Sequence, residues 1–150
     1  MSSLDRTMFL EGMNSGYGVK EAVAYLQDQA NRGPIVLAVS SKPGNPTDGV
    51  LIYLRKQANI EILHVPWWPL HERLIPKGEA PDHAHKYQKE PFALKRLHSD
   101  APIFFVYPYI SYPAESFVKK NPEFKKTMSF AKPDARHALE IYRAEALGRP

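Results

Sequence analysis

Two histidines in the segment "PDHAHKY" have residue types and spacing that suit metal binding. His83 and His85 alternate in the sequence, with Asp82 directly before them, and alternate residues of an extended loop can present two imidazoles on one side. A transition-metal ion would need a third ligand, for which His64 and His71 are available. No flanking pattern fixes that geometry, so the sequence predicts neither a metal site nor another cofactor, and His83 and His85 are only weak candidates.

The two tryptophans, Trp67 and Trp68, lie in the proline-rich stretch "HVPWWPLHERLIP". Pro66 and Pro69 flank them. Proline lacks the amide donor that helices and sheets require, so both indoles are predicted in a loop or at the edge of an element. Exposed indoles stack on sugar rings and other flat apolar faces. Two indoles can equally anchor a long loop by burial, and both interpretations stay open.

Gly16, Tyr17 and Gly18 precede a predicted helix, where a phosphate-binding turn is sometimes found. A dinucleotide fingerprint requires G-x-G-x-x-G directly after a strand, and a P-loop ends in Gly-Lys-Ser/Thr. The chain has neither, which favours a structural turn. It also lacks a Gly-x-Ser-x-Gly nucleophile elbow and has no cysteine. A hydrolase triad of that type is therefore disfavoured, and a cysteine nucleophile, cysteine zinc ligands and disulfides are excluded.

Hydrophobic patterning predicts the elements that position these residues. Apolar residues at helical spacing from Val19 to Ala30 predict a helix with one buried face, which Gly33 and Pro34 end. A second helix is predicted through "VLIYLRKQ" and a third through "PFALKRLHSD".

Three apolar runs have the length and composition of buried strands. They are "IVLAVSS" at 35–41, "IEILHV" at 60–65 and "PIFFVYPYI" at 102–110. Near the end, "ALEIYRA" suits a closing strand that pairs at one side, although a helix is also compatible.

Strands that alternate with helices predict a parallel sheet with helices on both faces. With 150 residues and a hydrophobic fraction of 43%, the chain has the size and composition of one globular domain. We therefore predict a single α/β domain over residues 1–150. Its predicted architecture is a small Rossmann-like three-layer sandwich with a mostly parallel sheet and room for an antiparallel edge strand at the C-terminus.

In open α/β sheets, ligands bind beyond the carboxyl ends of the strands. Polar and aromatic residues follow or end all three predicted strands, and they form the candidate ligand-binding set. These residues are Ser40, Ser41, His64, Trp67, Trp68, Tyr109 and Tyr112. They complete no catalytic constellation, so no catalytic residue is predicted.

The chain is mildly basic, with a formal charge of +4. Its densest basic cluster comprises Lys119, Lys120, Lys125, Lys126 and Lys132. A solvated face is the preferred interpretation of this cluster, and contact with phosphate or an anionic membrane surface is the other. Because no basic motif dominates, nucleic acid is not a predicted partner. No apolar run approaches the length of about 20 residues that spans a bilayer.

The stretch "DRTMFLEGMNSGYGVKEAVAYLQ", residues 5–27, combines Asp-Arg, Glu-Gly and Ser-Gly-Tyr-Gly before an amphipathic helix. It resembles the segment after the last membrane helix of bacterial multi-pass family 39 glycosyltransferases, which are related to protein O-mannosyltransferases. The matching positions are Asp5, Arg6, Glu11, Gly12, Ser15, Gly16, Tyr17 and Gly18. The resemblance continues in "LIYLRKQANIEI", "WWPL" and "KPDARHALEIYRA". Met13-Asn14 and the loop "SSKPGNPTDG" depart from the family pattern.

The resemblance implies an accessory extracytoplasmic domain of a membrane glycosyltransferase that uses a polyprenyl-phosphate sugar donor. Residues 1–17 would then be a lead segment after a membrane helix, on the periplasmic side. The implied partners are the membrane domain of the same polypeptide and a glycan or lipid-linked sugar or acceptor. The domain would be non-catalytic alone and would support acceptor recognition or the membrane domain. The alternative is a freestanding cytoplasmic Rossmann-like protein or enzyme that binds a small molecule or nucleotide.

Overall fold

A computed structural model of the chain describes residues 16–40, 47–65, 100–107, 114–134 and 136–145. These residues form helices and a five-stranded sheet. The helices are α1 (Val19–Arg32), α2 (Thr47–Leu54) and α3 (Ala114–Lys120). The strands are β1 (Ile35–Ser40), β2 (Ile60–Val65), β3 (Ile103–Tyr107), β4 (Lys125–Ala131) and β5 (Ala138–Ala144).

The strand order is β2-β1-β3-β5-β4. The first three strands are parallel, with β1 between β2 and β3. β5 is antiparallel to β3 on one side and to β4 on the other. A register shift between Lys126 and Met128 interrupts the β4–β5 ladder, and the Thr127 hydroxyl there donates to the Ile141 carbonyl at 3.1 Å.

The prediction of a mostly parallel, Rossmann-like three-layer sandwich is wrong. The sheet is mixed, because two of its four strand pairings are antiparallel. β4 was not predicted, since "KKTMSFA" leaves most of its side chains exposed and lacks the apolar run of a buried strand. β5 is a strand, as preferred, but it pairs on both sides instead of forming an edge. The helix predicted in "PFALKRLHSD" lies outside the described residues except for Asp100, which is in a turn.

Each face of the sheet carries its own apolar cluster. α1 and α2 cover one face, where Leu26 and Leu54 pack with Phe104 of β3. On the other face, Phe117 of α3 is packed among aromatic rings. Its ring centroid lies 4.9 Å from that of Phe105, 5.3 Å from Phe124 and 5.4 Å from Tyr142. Strand residues alternate between the two clusters because successive side chains point to opposite faces.

Gly18 holds the start of α1 against the antiparallel half of the sheet. Its φ of +85° lies in the left-handed region, which other residues adopt at a cost. A Cβ at Gly18 would lie 2.9 Å from the Phe130 Cβ and 3.1 Å from the Leu139 Cβ. The backbone of the helix start thus approaches β4 and β5 more closely than any side chain would permit.

We expect Gly18→Ala to lower the free energy of unfolding by about 1–3 kcal/mol, since the methyl group adds backbone strain and a steric clash. Urea unfolding followed by circular dichroism would measure the change. Gly16→Ala is the matched control in the same turn, because a Cβ there meets nothing within 4 Å. Equal stability of the two variants would contradict the packing role of Gly18.

Candidate functional site

The carboxyl ends of β1, β2 and β3 lie at one edge of the sheet, here called the carboxyl edge. Ser40 and Val65 end their strands as a register pair. Ala38 pairs with Phe105, so Ser40 and Tyr107 each lie two residues further along. The chain leaves β1 for β2 on one side and returns to β3 on the other. Such a switch point is where open sheets with parallel strands form ligand-binding crevices.

The antiparallel strands bring a further turn to the carboxyl edge. Tyr107, at the end of β3, is in register with Glu140 near the start of β5. The connection between β4 and β5, of which residues 132–134 and 136–137 are described, therefore lies at this same edge. α1 also begins here, because Gly18 abuts Phe130 and Leu139. Because no strand is predicted at β4, the predicted candidate site does not include this turn.

Asp134 organises the β4–β5 turn. Its Oδ1 accepts hydrogen bonds from the backbone N–H groups of Arg136 and His137, both at 3.1 Å. Its Oδ2 bonds to the His137 Nδ1, and the contact is an ion pair when that imidazole is protonated. The Lys132 N–H donates to the His137 carbonyl at 2.9 Å. Asp134 follows Pro133 in "KPDARH". An aspartate whose side chain bonds to the backbone two residues later forms an Asx turn.

The turn holds a buried cation beside an ionised carboxylate. Lys132 is only 4% exposed, which corrects its prediction as part of a solvated basic face. Burial lowers the pKa of Lys132, and the nearby Asp134 charge opposes this effect. Burial alone would raise the pKa of Asp134, but the hydrogen bonds from His137 and Arg136 outweigh it and hold the pKa below its ordinary value.

The contacts of Asp134 have two roles, one in orienting His137 and one in closing the β4–β5 hairpin. A carboxylate bonded to Nδ1 fixes the tautomer and orientation of its histidine, as in many proton-transfer and ligand-binding sites. The same hydrogen bonds close the β4–β5 hairpin. Asp134 therefore both shapes the carboxyl edge and orients the His137 ring there.

A second polar group lies on the α3 side of the sheet near the end of β3. The Tyr142 hydroxyl donates to Glu140 Oε2 at 2.6 Å, and Lys126 Nζ contacts Glu140 Oε1 at 2.8 Å. Burial, with a further contribution from Glu140, raises the pKa of Tyr142 far above its usual range. The Tyr142 ring also packs edge-on against Tyr107, with centroids 6.0 Å apart. Tyr142 is thus a fixed donor that holds Glu140 in place beside the end of β3.

The predicted site residues divide between described and undescribed parts of the chain. Ser40 ends β1, and His64 of β2 is in register with Val39, so their backbones lie at or next to the carboxyl edge. The side chains of these two residues are outside the described part of the structure. Gly18 has the packing role given above, and Tyr17 is 55% exposed. The other candidates lie outside the described residues: Glu11, Ser15, Ser41, Trp67, Trp68, His83, His85, Tyr109 and Tyr112.

In residues 16–40, 47–65, 100–107, 114–134 and 136–145, no three histidine or acidic side chains gather closely enough to hold a metal ion. None of the helices in these ranges has the length and apolar character to span a bilayer.

No family model, curated protein or solved structure matches the chain. The resemblance to family 39 glycosyltransferases therefore stays a prediction from the sequence.

We expect Asp134→Asn to lower the free energy of unfolding at neutral pH, because the ionised carboxylate is better hydrogen-bonded than the amide would be. The folded-state pKa lies below the ordinary value of 3.8. The stabilising contribution is therefore present above that ordinary pKa and is lost as the pH falls through the lower folded-state value. Urea unfolding at several values between about pH 5 and pH 2 should show the difference from the native chain shrinking.

Asp28→Asn is the control for this experiment. Asp28 forms an exposed ion pair with Arg32 at 2.6 Å, and exposed pairs of this kind contribute little stability. A stability difference for Asp134→Asn that stays constant as the pH falls would contradict the assigned role of Asp134.

Proposed function

We propose that this chain is an accessory, extracytoplasmic domain of a membrane-embedded glycosyltransferase with a polyprenyl-phosphate sugar donor. In this proposal the carboxyl edge contacts the lipid-linked sugar or the acceptor, and bond formation takes place in the membrane domain. The observation that carries the proposal is the convergence at one edge of three strand ends, the β4–β5 turn and the start of α1. The resemblance over residues 5–27 supplies the class of protein.

The chemistry of this edge suits a sugar phosphate. Asp134 is an ionised acceptor for sugar hydroxyls, and His137 can donate a hydrogen bond or, when protonated, attract a phosphate. Trp67 and Trp68 follow the end of β2 by two and three residues in the sequence. Indoles and charged or hydroxyl-bonding groups together are the usual combination for recognising a sugar ring.

Tryptophan fluorescence tests this proposal, since Trp67 and Trp68 are the chain's two tryptophans. We expect a water-soluble, short-chain polyprenyl-phosphate sugar to shift the emission in a saturable way. The variants Trp67→Phe and Trp68→Phe each retain one fluorescent tryptophan, so they would show which indole responds to the ligand. The same short-chain polyprenyl phosphate without sugar, and the free sugar, are the matched ligands. Absence of a saturable change, in emission and in a parallel calorimetric titration, would contradict sugar binding at this edge.

The architecture of the gene gives an independent test. We expect the natural reading frame to encode hydrophobic helices upstream of Leu4, and the product to fractionate with membranes. A frame that starts at Met1 with no such region would contradict the assignment as an accessory domain, whatever the fluorescence result.

The strand order also favours a second candidate function. The β2-β1-β3 arrangement, with its switch point between β1 and β3, is a common nucleotide-binding geometry. A freestanding protein or enzyme that binds a small molecule or nucleotide would use the same edge. In a thermal-shift screen, a nucleotide or sugar phosphate at about 100 times its Kd should raise the melting temperature by roughly 5–10 °C. An unchanged melting temperature with every compound in the screen would contradict this alternative.

A further inference from the structure

The outward face of α2 exposes two large apolar side chains. Residues 50–54 read Val-Leu-Ile-Tyr-Leu, and such a run places apolar groups on every side of a helix. Val50 and Leu54 are fully buried against α1 and the sheet, and Leu51 packs partly against them. Ile52 and Tyr53 are left 64% and 62% exposed. Single exposed apolar residues are common on protein surfaces, whereas adjacent ones indicate an interaction site.

Two exposed cations follow this apolar pair. Arg55 and Lys56 come directly after α2, and the Arg55 N–H donates to the Leu51 carbonyl at 3.0 Å, which continues the helical turn. The neighbouring α1 contributes no net charge, because its two acids balance its two bases. Glu61 of β2 alternates with Ile60 and Ile62, which pack on the α2 side, so it belongs to the opposite face of the sheet.

We propose that Ile52, Tyr53, Arg55 and Lys56, here called the α2 patch, dock on an anionic lipid surface. A tyrosine suits the boundary between headgroups and acyl chains, and an isoleucine beside it can enter the apolar layer. The cations pair with anionic headgroups, which gives the charge complementarity that selects this partner. This inference goes beyond the proposed function and does not use the carboxyl edge.

A second copy of the chain fits the α2 patch less well. A two-fold contact places each patch against itself, so Arg55 and Lys56 would face like charges in the partner. Four side chains also cover far less than the roughly 800 Å² per partner of a stable protein interface.

Vesicle co-sedimentation of the 150-residue chain tests the proposal. The probes are phosphatidylcholine vesicles and phosphatidylcholine vesicles that also contain phosphatidylglycerol, at low and high salt. We expect binding to the anionic vesicles that weakens with salt, since exposed charges are screened. R55Q/K56Q should lower the partition coefficient by about 25-fold, roughly fivefold for each charge. I52S/Y53S should lower it by about tenfold or more.

The matched control is K119Q/K125Q, which removes two exposed cations from the basic cluster on α3 and β4. We expect this control to retain more than half of the native binding. Melting curves of every variant are recorded, because cations beyond a helix C-terminus also stabilise the helix. The expected losses must therefore appear in variants that are fully folded at the assay temperature.

Several results would overturn the proposal. These are the absence of sedimentation with anionic vesicles, equal binding to both vesicle types, or an equal loss of binding in K119Q/K125Q. Analytical ultracentrifugation that shows a dimer in the native chain and a monomer in I52S/Y53S would assign the α2 patch to a second copy instead. Because these vesicles contain no sugar, none of these results depends on sugar binding by the carboxyl edge.

Discussion

The pairing of β5 on both sides is the constraint on which the architecture depends. β5 joins the parallel strands to β4, and it runs antiparallel to both β3 and β4. Its Leu139 and Ile141 enter the cluster under α1 and α2, while Tyr142 and Ala144 enter the cluster with α3. A strand that supplies both cores and two ladders cannot shift in register without exposing apolar groups on both faces. The position of the β4–β5 turn at the carboxyl edge follows from this register.

The elements that bury a continuous or strongly periodic apolar pattern were predictable from the sequence. α1, β1 and β2 appear where their patterns placed them, with ends within one or two residues. β4 was not predictable by the same reasoning, because an edge strand exposes one side of its backbone and most of its side chains. Without β4, β5 has only one predicted partner, and the predicted fold class is wrong for that reason.

The candidate site was predictable only in part, for the same reason. The convergence of strand ends around Ser40 follows from parallel pairing of buried strands, which apolar runs indicate. The contribution of Asp134 and His137 follows from tertiary pairing of β4 with β5, to which no local pattern points. Gly18 illustrates a third case: its place in a sequence motif agrees with a backbone requirement, the close approach to Phe130 and Leu139. Glycine is required at this position by that close approach alone, independently of any ligand.

The register shift between Lys126 and Met128 is a bulge in β4, and it affects how the chain behaves at high concentration. Among the described strands, β4 forms one border of the sheet, and an outer strand border offers a template to a strand from another molecule. The interruption between Lys126 and Met128 twists that border, and Lys125 and Lys126 place charge along it. An incoming strand would have to match an irregular ladder while desolvating ammonium groups, so the molecule resists the edge-to-edge growth that leads to fibrils.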